Sequence, residues 1–198
     1  SDVYKKDTSE YKIVLFGKDN LDRTYSVLVS GFTPYYYIRV PDDFTKRKIN
    51  ILKDWLGDKL WSKHRDSLLR ITLHKKMRFR GFSNNKKYIF ARLVFKNTNA
   101  MRHSINLFQN KVWDPVTRKI SKITPKKLNI PGVSNGLFSF DLYENMIDPL
   151  IRFIHHREIK PVGWVKINSG CFTRLDDSST NCNINIETRW TNIKYIKR

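Results

Sequence analysis

Cysteine is nearly absent from this chain. Cys171 and Cys182 are the only two in 198 residues, too few for a disulfide scaffold, and their spacing fits no zinc motif. They read as thiols of a reducing compartment, so an intracellular protein is expected. No apolar run is long enough to cross a bilayer as a helix, and no secretory leader opens the chain at Ser1. No membrane partner is therefore expected. A first residue other than Met reads as a processed chain or a fragment. Glycine-rich phosphate loops, internal repeats and low-complexity tracts are also missing. His64, His74 and His103 have no partner at ligand spacing, and the neighbours His155 and His156 would leave a helix on different sides. The nearest approach to a carboxylate cluster is Asp141, Glu144 and Asp148, of which Asp148 reads as a helix cap. No metal site and no catalytic residue is expected.

Acid is scarce too. Asp plus Glu number 18 against 38 Lys plus Arg, a net charge of +20 at pH 7. Such an excess attracts polyanions, because Lys and Arg displace the counterions condensed on them. Nucleic acid is the leading partner class, and an acidic protein is the alternative. With 40% hydrophobic and 13% aromatic residues, the chain can bury a core and does not read as disordered.

Elements can be placed by period and punctuation. Residues 11–16 and 25–29 read as a hairpin around Gly17-Lys18-Asp19-Asn20. Gly31 to Pro41 is a strand rich in tyrosine. Asp42-Asp43 should cap a helix carrying Phe44, Ile49, Leu52, Trp55 and Leu56, with Gly57 breaking it. Strands are expected at 68–73 and 88–95, the second with Ile89, Ala91, Leu93 and Phe95 on one face. Asn97 should cap a helix holding Met101, Ile105 and Phe108. Residues 112–131 read as a basic loop. From Leu137 to Ile167 the period changes twice. A strand at 137–142 gives way to a helix opened by Asp148-Pro149, with Met146, Ile147, Leu150, Ile151 and Ile154 as its apolar stripe, and 162–167 returns as a strand. That strand–helix–strand run should pack as a crossover on one sheet. A last strand is expected at 182–190.

Three stretches carry a resemblance. Phe32-Thr33-Pro34-Tyr35-Tyr36-Tyr37 with Pro41, the run from Arg78 to Asn97, and Tyr143-Glu144-Asn145 through Ile159-Lys160-Pro161-Val162-Gly163-Trp164 resemble the N-terminal region of family B DNA polymerases. The likeness is nearest to the delta-like enzymes of eukaryotes and large DNA viruses. It implies a domain on the template side, preceding the exonuclease. The family's exonuclease Asp-x-Glu and polymerase Tyr-Gly-Asp-Thr-Asp do not occur here, so the stretch alone is expected to be inactive. Mg would belong to the missing catalytic domains, and no cofactor is expected in this part.

The expected fold is α+β: a ferredoxin/RRM-like βαββαβ subdomain at 41–167, with the basic loop at 112–131, inserted in a small OB-like β subdomain formed by residues 4–40 and 168–198. The expected partners are DNA, as single-stranded template and primer–template, and the rest of the polymerase chain. The expected place is a host nucleus or a cytoplasmic viral replication site. Nucleic-acid contact is assigned to Arg78, Phe79, Arg80, Phe82, Lys86 and Lys87, where charge and rings interleave. Two other readings remain. One is a stand-alone RRM-like single-strand-binding module, which needs solvent-facing aromatics such as Tyr35, Tyr37 or Phe79 on adjacent strands. The other is a basic domain that binds an acidic protein.

Overall fold

The computed structural model describes residues 9–77, 87–160, 162–176 and 180–196. In chain order the elements are β1 (Ile13–Lys18), β2 (Thr24–Ser30), β3 (Tyr35–Arg39), α1 (Lys46–Lys59), β4 (Leu68–Met77), β5 (Lys87–Phe95), α2 (Thr98–Leu107), β6 (Gln109–Asp114), β7 (Lys119–Pro125), β8 (Lys127–Leu128), β9 (Phe138–Ser139), β10 (Leu142–Tyr143), α3 (Pro149–His156), β11 (Trp164–Lys166), β12 (Phe172–Arg174), β13 (Ile184–Arg189) and β14 (Lys194–Ile196). The protein is mixed α and β, with several antiparallel sheets. It divides into two compact units. Among the described residues, one holds Ser9 and those between 34 and 146, the other those between 10 and 33 and between 147 and 196.

The first unit is built on a four-stranded antiparallel sheet of order β10-β3-β5-β4. Along the chain its strands and helices come in the order β3, α1, β4, β5, α2 and β10, with β6 to β9 between α2 and β10. Alternation decides which side chains face the helices. Tyr36 and Ile38 of β3 and Ala91, Leu93 and Phe95 of β5 pack with Leu52 and Leu56 of α1 and with Ala100, Met101 and Ile105 of α2. Asn97 caps α2 by accepting the amide of Ala100 at 2.9 Å, as its sequence position predicts. α1 differs from expectation. Thr45 stands at its N-cap without a side-chain bond, and Asp43 instead pairs with Lys48 at 2.7 Å. The helix also runs through Gly57 to Lys59, because one glycine costs a helix only about 1 kcal/mol.

Tyr36 is fully buried, and its hydroxyl lies 2.6 Å from Ser104 Oγ. Burial raises its pKa. Tyr36→Phe strands the Ser104 hydroxyl in the core and is expected to cost about 1–3 kcal/mol. Adding Ser104→Ala should recover much of that loss. Denaturant midpoints of the two variants check this.

The expected basic loop is ordered differently. β6 and β7 form an antiparallel ribbon. It is closed by Asp114, whose carboxylate accepts the Val116 amide at 2.9 Å and the Thr117 hydroxyl at 2.7 Å. Such Asx chemistry makes Asp114-Pro115 a hairpin turn rather than the start of an irregular segment.

In the second unit the sheet order is β1-β2-β13-β12. The outer pairs are antiparallel and β13 lies parallel to β2, with Ile186 opposite Val27. Segments far apart in sequence thus share one core of Ile13, Val27, Val29, Phe32, Phe153, Ile186 and Ile193. α3 begins as its sequence predicts, with Asp148 accepting the Leu150 amide at 2.7 Å and Pro149 next. Its inward residues are Pro149, Arg152 and Phe153. The expected stripe divides: Ile154 packs against the core, Leu150 and Ile151 are exposed, and Met146 and Ile147, also exposed, precede the helix.

The expected crossover over 137–167 does not form as one unit. β9 pairs with β8, β10 with β3, and β11 with β14, and the division between units passes between Met146 and Ile147. The other division lies between Thr33 and Pro34, where the sequence reading sets boundaries after residue 40 and before residue 168. The core explains both positions. Tyr36 and Ile38 pack with Leu93 in one unit, and Phe153 packs with Phe32 in the other.

Candidate nucleic-acid interface

If alternate residues of the first unit's sheet bury against the helices, the others must share the opposite face. On β3 these are Tyr35, Tyr37 and Arg39, and on β5 they are Tyr88, Phe90, Arg92 and Val94. β4 contributes Arg70, Thr72, His74 and Lys76, and β10 contributes Tyr143. The register sets them in rows: Tyr143, Tyr37, Arg92 and Thr72 in one, and Arg39, Phe90 and His74 in the next. Lys76 stands opposite Tyr88.

Cations and rings interleave on this face. The Arg39 guanidinium lies 4.7 Å from the Tyr88 ring centre, and that of Arg92 lies 5.2 Å from Tyr35. Lys76 Nζ is 4.8 Å from Tyr37. Edge-to-face contacts join the rings: Tyr35 to Tyr37 at 5.8 Å, Tyr37 to His74 at 5.5 Å and Phe90 to Tyr143 at 5.1 Å. Nε of Arg39 and of Arg92 is buried and has no hydrogen-bond partner among the described residues. A buried donor in that condition calls for an acceptor. Asp141 flanks the face at its β10 edge, where its carboxylate accepts the Ser139 hydroxyl at 2.9 Å.

Planar cations beside aromatic rings, on adjacent central strands, suit a flexible polyanion whose bases expose a π-face. Of the rings that the sequence reading named for an RRM-like sheet, Tyr35 is half-buried on this face, Tyr37 is buried and Phe79 lies outside the described residues; Tyr88, also half-buried, was not among them.

Of the residues assigned from sequence, Arg78, Phe79, Arg80, Phe82 and Lys86 lie outside the described residues. Lys87 opens β5, exposed and opposite Met77, one step beyond the Lys76–Tyr88 pair. Of the assigned residues, Lys87 is thus the one whose place is described, at the end of this face. Sequence reasoning did not single out Arg39, His74, Lys76, Tyr88 or Arg92. The available signal was the complement of the Ile89-Ala91-Leu93-Phe95 face, which is Tyr88-Phe90-Arg92. Among the described residues, no group of three His, Cys, Asp or Glu is placed to hold a metal ion.

His74 reports on the charge of the face. Its pKa is lowered by burial first, then by Arg92 and Lys76, and its Nε2 lies 3.0 Å from Thr72 Oγ1. The unfolded chain therefore takes up this proton first as pH falls. The stability due to neutral His74 is full above about 6.5 and is lost as pH falls through the folded value. A polyanion that neutralises Arg92 and Lys76 removes two of the three causes. The His74 midpoint should then rise on binding, and binding should tighten as pH falls across that range. Proton NMR titration of His74 with and without oligothymidylate checks this, and an unmoved midpoint contradicts it.

No protein-family model matches the chain. Over 189 residues it is 29% identical to a DNA polymerase of Phaeocystis pouchetii virus, a match covering 96% of this chain and 18% of that protein. A DNA polymerase of Acanthamoeba polyphaga mimivirus is 26% identical over 200 residues, covering 96% of this chain and 10% of that one. A DNA polymerase of Pyramimonas orientalis virus is 31% identical over 188 residues, covering 94% and 14%. The chain thus spans less than a fifth of the length of these relatives. Among solved structures, the family B DNA polymerase from the hyperthermophilic archaeon Pyrobaculum calidifontis matches with a TM-score of 0.56 at 14% identity, over 93% of this chain and 18% of that one.

Proposed function

From a chain homologous over nearly its whole length to a segment of DNA polymerases of large DNA viruses, and folded like part of a family B DNA polymerase, we infer the N-terminal, template-side domain of a family B replicative polymerase. In this reading the first unit is ferredoxin/RRM-like, the second is OB-like, and both scaffold the domains that carry polymerase and 3′–5′ exonuclease chemistry. Those domains would hold Mg. The domain itself handles nucleic acid: single-stranded template, beside the primer–template. Its place of work would be the viral replication site, in host nucleus or cytoplasm.

The sheet face supports this most directly. Half-buried Tyr35 and Tyr88 lie beside Arg92 and Arg39, so this face can offer rings and cations to a nucleic acid. Phosphate contacts hold the strand without reading it, so binding should be indifferent to sequence.

Anisotropy of labelled oligothymidylate against the whole chain tests the proposal. Affinity should fall steeply with salt, with a log–log slope of about −0.7 per phosphate engaged. Reversing Arg78, Arg80, Lys86 and Lys87 together to Glu should weaken binding strongly, since charge and rings interleave in that stretch of sequence and Lys87 stands next to the Lys76–Tyr88 pair. Absence of binding at modest salt would overturn the assignment. Affinity unchanged by the four reversals would remove that segment from it.

A further inference from the structure

The second unit holds a cleft of about 340 Å³. One wall is the inner face of its four-stranded sheet. Leu15, Val27, Ile186 and Arg174 form one cross-strand row, and Gly17, Tyr25 and Ile184 the next. Trp164, Val165 and Ile167 form the other wall. The opening has a cause in the sequence. Gly17 stands where its row needs a side chain, and a Cβ built there meets nothing within 4 Å.

The mouth is basic. Lys18 and Arg174 line it with Asp19, but the Asp19 carboxylate is already occupied. It accepts Arg23 Nε at 2.8 Å, the Leu21 amide at 2.9 Å and the Tyr25 hydroxyl at 3.1 Å. Burial acts to raise its pKa, yet these bonds hold it down at about 2. Lys18 faces Asp22 only as an exposed pair at 3.6 Å, a weak contact that a ligand can replace.

The lining chooses among ligands. It is mostly aliphatic and aromatic, and the Tyr25 hydroxyl is engaged. A nucleobase would bury the donors and acceptors of its edge unpaired, which is costly. A bulky apolar side chain has none to lose. Beside the cleft, β12 is an edge strand, paired only with β13 among the described residues. Its other side offers backbone groups to an extended peptide.

We propose that this cleft binds an acidic peptide segment of a partner protein, which inserts one phenylalanine or leucine between Trp164 and the Gly17 row while Lys18 and Arg174 meet the flanking carboxylates. The charge at the mouth selects the acid and the lining selects the anchor. This site is independent of the nucleic-acid face, so either can fail without the other.

The test uses the whole chain and a short fluorescein-labelled peptide of aspartate and glutamate with one central phenylalanine. A matched peptide carries alanine at that position. The phenylalanine peptide should bind about tenfold or more tighter than the alanine one, as expected for one buried aromatic side chain. Gly17→Leu fills the cleft at a position outside the left-handed region and should weaken the phenylalanine peptide to the alanine level. Arg174→Glu, at an exposed position on the edge strand, should weaken both peptides. Circular dichroism confirms that each variant folds, and the two-peptide comparison on the unaltered chain stands even if Gly17→Leu does not. Equal binding of the two peptides, or no effect of a folded Gly17→Leu, would overturn the proposal. So would loss of oligothymidylate binding in Gly17→Leu together with displacement of the peptide by oligothymidylate, which would make the cleft a nucleotide slot.

Discussion

Tyr35→Ala combined with Tyr88→Ala is expected to lower affinity for oligothymidylate by about thirtyfold or more, since stacking of a base on an aromatic ring is worth about 1–3 kcal/mol per base. Both rings are half-buried on the face away from the core, so the fold should survive their loss. The companion substitutions separate stacking from charge. Arg39→Lys with Arg92→Lys keeps the net charge but removes the planar groups that lie against Tyr88 and Tyr35. The salt slope should then stay nearly constant while affinity falls. Arg39→Gln with Arg92→Gln should lower both. Anisotropy titrations over a salt series measure the three variants together. Full affinity in the alanine pair would mean that the rings only pack against their neighbours and that the strand lies elsewhere.

The second large effect is on stability. Phe153 is fully buried, 5.7 Å from Phe32 in an edge-to-face contact, and it carries the attachment of α3 to the second unit's core. Phe153→Ala is expected to cost about 3–5 kcal/mol. Asp148→Ala, which removes only the cap, should cost about 1 kcal/mol. Amide exchange is the appropriate readout, because protection should fall first along β2 and β13, whose core Phe153 completes. Comparable losses for the two variants would mean that α3 is held by its end rather than by its packed face.

Local chemistry made much of this fold legible. Asn97 and Asp148-Pro149 open their helices where caps and proline belong, and alternation in 88–95 separates the buried side of β5 from the other. The likeness to viral polymerases was carried by the same short stretches. What stayed hidden depends on partners far away in sequence. Periodicity shows which residues of a helix share a face, not which face turns inward. In α3, Leu150 and Ile151 are exposed, yet the core takes Pro149 and Phe153, with Ile154 packed against it; Met146 and Ile147, expected in the same stripe, precede the helix. The parallel pairing of β13 with β2 brings Ile186 beside Val27, a contact that no local pattern encodes.

The candidate site divided in the same way. The sequence directed attention to the segment from Arg78 to Lys87, where basic and aromatic residues are consecutive. The structure adds a surface whose members are scattered over β3, β4 and β5. Arg39, Arg92 and Lys76 come together only through strand register. Tyr35 and Tyr37 were candidates for an exposed stack, but Tyr37 is 7% exposed, leaving Tyr35 and Tyr88 as the accessible rings. Asp114 shows a related limit. Its role as a turn former was readable, but the strands on either side of it are mostly exposed and lack the buried alternation that marks a strand in sequence.

The most direct test of the account is to locate a bound strand by NMR on the chain with labelled aromatic and arginine side chains. With oligothymidylate present, the account predicts intermolecular contacts to the Tyr35 and Tyr88 rings and shifts of the Arg39 and Arg92 Nε groups. Contacts confined to another basic surface, such as the β6–β7 ribbon with exposed Trp113, Lys119 and Lys122, would contradict it.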